Sequence, residues 1–116
     1  MHKLFYDTLL IGEVELTNND FPDLTGNFTM LLTSSDPISE LLFNYIDFSR
    51  RQVEFYSGDE LNEELEEKLS VEEMTYEDLI NSTKWRMEEE NGKSVKILIP
   101  TFDKDNVIGW RLSLGG

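Results

Sequence analysis

Leu9–Ser34 reads LLIGEVELTNNDFPDLTGNFTMLLTS. Two alternating apolar runs flank a segment rich in Asn, Asp, Pro and Gly, which predicts a strand, a shaped loop and a second strand. Within the loop, Asp20-Phe21-Pro22 sets a large aromatic before a proline. The proline ring fixes its own φ and drives Phe21 into an extended conformation. Solubility alone has no use for a phenylalanine there, so Phe21 is expected to fold back onto the core. Upstream, Leu4, Tyr6, Leu10, Val14 and Leu16 share one parity, with Glu13 and Glu15 on the other, as in a half-buried strand. Gly12 interrupts the run and marks a bend, a bulge or a close neighbour. Phe28, Met30 and Leu32 resume the alternation after the loop. Residues 17–25 make this connection longer than a tight hairpin.

Downstream, Asp36-Pro37 is a helix start, with Asp36 as N-cap and Pro37 at the first helical position. Leu41, Leu42, Tyr45, Ile46, Val53 and Tyr56 then cluster on one side at 100° per residue, and Phe48 and Phe55 widen the stripe. Gly58 suits a C-terminal cap. The spacing therefore predicts one helix over residues 37–57, burying Leu42, Tyr45 and Val53 against a sheet. A shorter helix over 59–69 carries Leu61, Leu65 and Leu69 four apart. A break near Ser70 and a last short helix over about 76–81 follow. The remainder is β: 84–88, a turn around Asn91-Gly92, 94–99, a polar turn over 103–106, and a final strand over 107–114.

The order ββ-αα(α)-βββ has no βαβ rhythm. It predicts an α+β domain spanning residues 1–116, with a mainly antiparallel sheet and helices packed on one face. At 116 residues the chain is long enough for a core without staples. It has no cysteine, which excludes disulfides, zinc–thiolate sites and thiol nucleophiles. No window approaches the roughly 20 apolar residues needed to span a bilayer, and no secretory leader pattern precedes the first strand. Cytoplasmic localisation is the expectation.

The net charge is −14. Phosphate backbones and anionic membranes both reward Lys and Arg, so neither nucleic acid nor membrane is an expected partner. A basic protein is. Between Asp59 and Ile80 stand ten carboxylates and one cation, Lys68, which accounts for −9 of the total. Like charges four apart, such as Glu63 with Glu67, cost a few tenths of a kcal/mol each, so helix stability does not explain this density. Glu63, Glu64, Glu66, Glu67, Glu72 and Glu73 are the candidate partner-binding residues, against the plain reading of a solvated helix face.

Other constellations carry less. The single histidine, His2, sits beside the first residue and offers no credible base for a nucleophile, and no P-loop, GxSxG, GxGxxG or HExxH occurs. The reading is of a chain that is not an enzyme, with no catalytic residue and no cofactor. Asp103-Lys104-Asp105-Asn106 opens like a calcium loop but lacks the later glycine and glutamate, so a polar turn is expected and no metal site. Trp85-Arg86 and Trp110-Arg111 lie on strands, where alternation sends the tryptophans inward and the arginines out. A small-molecule pocket between Phe21 and Trp110 is the alternative function. The terminal Leu114-Gly115-Gly116 resembles the diglycine tail of ubiquitin-like modifiers, though three strands after the helices fit a meander better than their mixed sheet.

Taken together, Gly12-x-Val14, Asp20-Phe21-Pro22, Gly26-x-Phe28 and Trp110-Arg111 resemble the pattern of a set of small bacterial proteins of unknown function. In that pattern an aromatic often follows the proline, where this chain has Asp23. The resemblance implies a bacterial, cytoplasmic α+β protein and supplies no catalytic residue. The reading that results is an acidic protein-interaction module, for example an immunity-type inhibitor of a basic toxin.

Overall fold

The computed structural model describes residues 1–20, 23–33, 36–58 and 62–113. Phe21, Asp59, Glu60 and the terminal diglycine therefore lie outside the described residues. In chain order the elements are β1 (His2–Tyr6), β2 (Leu9–Asp20), β3 (Asp23–Met30), α1 (Pro37–Ser57), α2 (Glu63–Glu73), a 3₁₀ turn (Met74–Tyr76) and α3 (Glu77–Ile80). Strands β4 (Trp85–Glu88), β5 (Ser94–Lys96), β6 (Thr101–Asp103) and β7 (Val107–Arg111) complete it. The sheet order is β5-β4-β1-β2-β3-β7-β6, and among the described residues every strand pairing is antiparallel. The α+β class and the helices on one face stand as read from the sequence.

The strands are finer than their apolar pattern suggests. The run from Leu4 to Leu16 is two strands, folded back at Asp7-Thr8, with Asp7 at φ 57°. Leu4 pairs with Gly12 and Phe5 with Leu10, so Ile11 is an extra, bulged residue. The bulge turns Ile11 inward beside Val14, and both are fully buried. Leu16, expected inside, is 37% exposed because it lies beyond the part of the sheet that the helices cover. Gly12 allows close approach: a Cβ there would collide with the Thr29 carbonyl and the Phe28 ring.

The polar stretch after Leu16 is also strand. A bulge at Thr17 lets the ladder continue through Asn18 and Asn19 until Asp20 pairs with Asp23. Asn and Asp disfavour strands, but β3 is hydrogen-bonded on both sides, by β2 and β7, and that pairing decides. Pro100 divides the run after Ser94, giving β5 and β6 where one strand was expected.

Beyond the residues that pair with β6, the end of β7 meets the edge strand β5. Ile97 bridges Leu112, the Leu98 N–H donates to the Arg111 carbonyl at 2.9 Å, and the Ser113 N–H donates to that of Lys96 at 3.0 Å. This closes the ring β1-β2-β3-β7-β5-β4 into a barrel at that end. Leu4, Val14, Phe28, Met87, Ile108 and Trp110 point into it. Where β6 diverges from β5, the barrel gapes, and α1 fills the opening.

Helix α1 forms as its sequence signals predict. Asp36 caps it, its Oδ1 accepting from the Ser39 N–H at 2.8 Å, with Pro37 in the first turn. Gly58 ends it in an extended conformation, φ −80° and ψ 157°, so no left-handed cap is needed. Leu42, Tyr45, Ile46 and Phe48 are buried, Val53 is half-buried and Tyr56 is 59% exposed. The last turns thus leave the core, and their aromatic stripe ends on the surface. Tyr45 lies 6.2 Å from both the Trp85 and Phe102 rings and 5.7 Å from Tyr76, in an aromatic cluster that joins helix to barrel.

Ser49 fixes the contact. Its Oγ accepts from the Phe102 N–H at 2.8 Å and donates to the Phe102 carbonyl at 3.3 Å, while the Tyr45 hydroxyl donates to the Pro100 carbonyl at 2.8 Å. The free edge of β6 is therefore satisfied by a helix instead of another strand. Burial pushes the Tyr45 phenol up to about 12. On the far side, the Trp85 indole N–H donates to the Leu79 carbonyl at 2.9 Å and fastens α3 to β4.

Replacing Ser49 by alanine strands a buried N–H and C=O pair. The expected loss is about 2 kcal/mol, read as a lower urea midpoint with an unchanged slope. Ser57→Ala, at an exposed hydroxyl on the same helix, should stay within about 0.5 kcal/mol of the parent.

Candidate functional site

Helix α2 begins one residue after Asn62, whose side chain accepts from the Leu65 N–H at 3.1 Å. Glu63, Glu64 and Glu66 in its first turn complement the helix dipole. The helix runs through Ser70 to Glu73, so the expected break falls at the 3₁₀ turn instead. Only Leu69 is buried; Leu65, Val71 and Met74 are 43%, 63% and 70% exposed. Burial of a single leucine holds this helix weakly.

The six candidate glutamates meet different surroundings. At 100° per residue, Glu63, Glu66 and Glu67 share one flank, and all three are exposed. Glu64, Lys68 and Glu72 lie four apart along the opposite flank. Lys68 pairs with Glu64 at 3.6 Å. Arg51 of α1 grips Glu72 with both terminal nitrogens, one of them at 2.9 Å, and also donates to Asp47 at 3.0 Å. Glu73 is half-buried and turned toward the core, where its charge adds to the upward push on Tyr45. The block is thus divided: one open flank of three carboxylates, and one flank tied down by cations.

The Arg51 guanidinium holds the Glu72 carboxyl below its usual range, against a smaller upward push from burial. A carboxyl lowered on folding stabilises the fold above its unfolded value near 4.5 and loses that contribution as pH falls through the lowered value. Because both partners are partly exposed, the pair is worth about 0–1 kcal/mol.

A second feature surrounds Trp110. At the closed end of the barrel is a cavity of about 360 Å³. Its lining includes His2 from β1, Leu16 and Asn19 from β2, Leu24 from β3, Met87 and Glu89 at the end of β4, Val95 from β5, and Trp110 and Leu112 at the end of β7. Every strand of the closed ring contributes. Met87 and Trp110 are 1% and 5% exposed and make the floor, whereas Leu16 and Asn19 stand at the rim. His2, although next to the first residue, lies on β1, pairs with Val14 of β2 and is half-buried. Of the two pocket residues expected from the sequence, Trp110 is in place and Phe21 lies outside the described residues.

Trp85 is fully buried, and Arg86 stacks over Phe5 with its guanidinium carbon 4.0 Å from the ring centre. Arg111 turns outward and pairs with Asp23. Asp103–Asn106 is a polar turn, the Asp103 carboxylate accepting from the Lys104 N–H at 2.7 Å and Asp105 and Asn106 at positive φ. Among the described residues, no three His, Asp or Glu side chains converge as a metal ion would need, and no helix is long and apolar enough to cross a membrane.

In Arg51→Met, the Glu72 carboxyl should return toward the ordinary glutamate value. Carbon-detected NMR titration of the side chain reads this directly, and amides of α2 should exchange faster at neutral pH.

No family model, no curated protein and no solved structure matches this chain.

Proposed function

We propose that the chain is a non-catalytic module that binds a basic protein through the open flank of α2. One observation carries this reading. Glu63, Glu66 and Glu67 form no ion pair among the described residues, on a helix that contributes only Leu69 to the core. Exposed Val71 on the same helix and Met74 in the turn that follows it add apolar area beside the carboxylates, and an interface combines an apolar centre with a polar rim. The net charge of −14 supplies long-range attraction for a cationic partner and speeds its encounter. An inhibitor that neutralises a basic toxin inside a bacterial cell, in the manner of an immunity protein, is one concrete form of this function.

The test is affinity capture from a native bacterial lysate, with Glu63→Lys/Glu66→Lys/Glu67→Lys run in parallel. A basic protein should be held by the parent and lost by the triple reversal. It should also elute between about 0.1 M and about 1 M salt, as the screening length falls from about 10 Å to about 3 Å. Folding should change little, because exposed charges are individually worth about 0–1 kcal/mol. Equal retention by parent and variant, or no capture by either, contradicts the proposal.

A further inference from the structure

The barrel-mouth cavity is separate from the α2 surface and has its own chemistry. A hollow of about 360 Å³ opens to solvent at this end of the ring, with Met87 and Trp110 buried beneath it. An apolar cavity of about 150 Å³ accepts one benzene ring, so this space suits a fused bicyclic body with a short substituent. Barrel mouths are a recurrent place for such ligands.

The lining fixes the class further. The walls are aliphatic apart from the Trp110 indole, which offers a surface for an aromatic or alicyclic ring. Its polar members are Glu89, Asn19 and His2, and none has a side-chain hydrogen bond among the described residues. All three can accept a hydrogen bond: a carboxylate, a carboxamide oxygen and an imidazole nitrogen. Among the described residues, Glu89 is the one carboxylate in the lining and no lysine or arginine lines it. An anionic ligand would meet Glu89 and an overall charge of −14, whereas a protonated nitrogen would gain a charge-assisted hydrogen bond there.

We infer that the mouth of the barrel binds a compact, ring-bearing organic cation, its ring body against Trp110 and its protonated nitrogen at Glu89. Binding at this place needs no movement of α1 and no contact with α2. It is a second function of the fold, independent of the protein partner proposed above.

Three naphthalene probes separate shape from charge: 1-naphthylmethylamine, 1-naphthylmethanol and 1-naphthoic acid. Calorimetry gives affinity and stoichiometry, and the indole N–H signals in NMR give location. The amine should bind once per chain and bind tighter than the alcohol, with the acid weakest. It should shift the Trp110 indole signal and leave that of Trp85, which is bonded to Leu79 in the core, in place. Glu89→Gln should weaken the amine about tenfold, as expected for a charged hydrogen bond, and leave the alcohol unchanged. Leu16→Trp should fill the mouth and abolish binding; should it not fold, Val95→Phe on β5 reads the same space. The inference is overturned if the acid binds as well as the amine, if no probe saturates, if Trp110 does not respond, or if the filling variants bind like the parent.

Discussion

The hydroxyl of Ser49 pins helix α1 to the edge of β6 by bonding both polar groups of one residue, Phe102. Strand β6 has a neighbour on one side only, and its other edge presents the Phe102 N–H and C=O inside the protein. A buried backbone pair left unsatisfied costs about 1–3 kcal/mol for each group. Ser49 answers both with one oxygen, and Tyr45, one turn earlier, answers Pro100. These bonds set how far α1 slides along the barrel, and so which aromatic side chains meet. Tyr45 then reaches Trp85, Phe102 and Tyr76, and the wide end of the barrel is sealed.

Sealing one end has a consequence at the other. With α1 occupying the gap beside β6, the helices add nothing to the end where Ile97 bridges Leu112. Among the described residues, strand residues and the first residues beyond β4 and β7 line that end, and their side chains do not fill it. The barrel thus divides its work, with dense aromatic packing under α1 and an open apolar mouth around Trp110. Helix α2 stands apart from both, fastened by Leu69 and by Arg51 gripping Glu72. Its weak attachment leaves Glu63, Glu66 and Glu67 free of structural duty.

Much of this was legible in the residues. Asp36-Pro37 and the stripe from Leu42 to Phe48 mark α1 to the residue, and alternation alone sends Trp85 and Trp110 inward and Arg111 out. What stayed hidden depends on partners far away in sequence. The break at Asp7-Thr8 carries no glycine or proline, and the bulge at Ile11 appears only once β1 is laid beside β2. The polar run after Leu16 reads as loop because Asn and Asp are poor strand formers, yet pairing on both sides of the ladder overrides that tendency. Ser49 looks like any helix serine until β6 is placed against it. The acidic block was visible as composition, but its division was not, since Arg51 lies 21 residues from Glu72. The cavity was least legible, because it is made by closure of the ring, and of its residues only Trp110 stood out.

The central claim, that α1 completes the edge of β6 through Ser49, is tested most directly by hydrogen exchange at one amide. Phe102 N–H has no strand partner, so without Ser49 it would exchange as an edge amide does, through small local openings. If the hydroxyl holds it, its protection should match that of the central strands β2 and β3 and vanish only with global unfolding. Rapid exchange of the Phe102 amide in the native protein, with β2 and β3 still protected, would contradict the account.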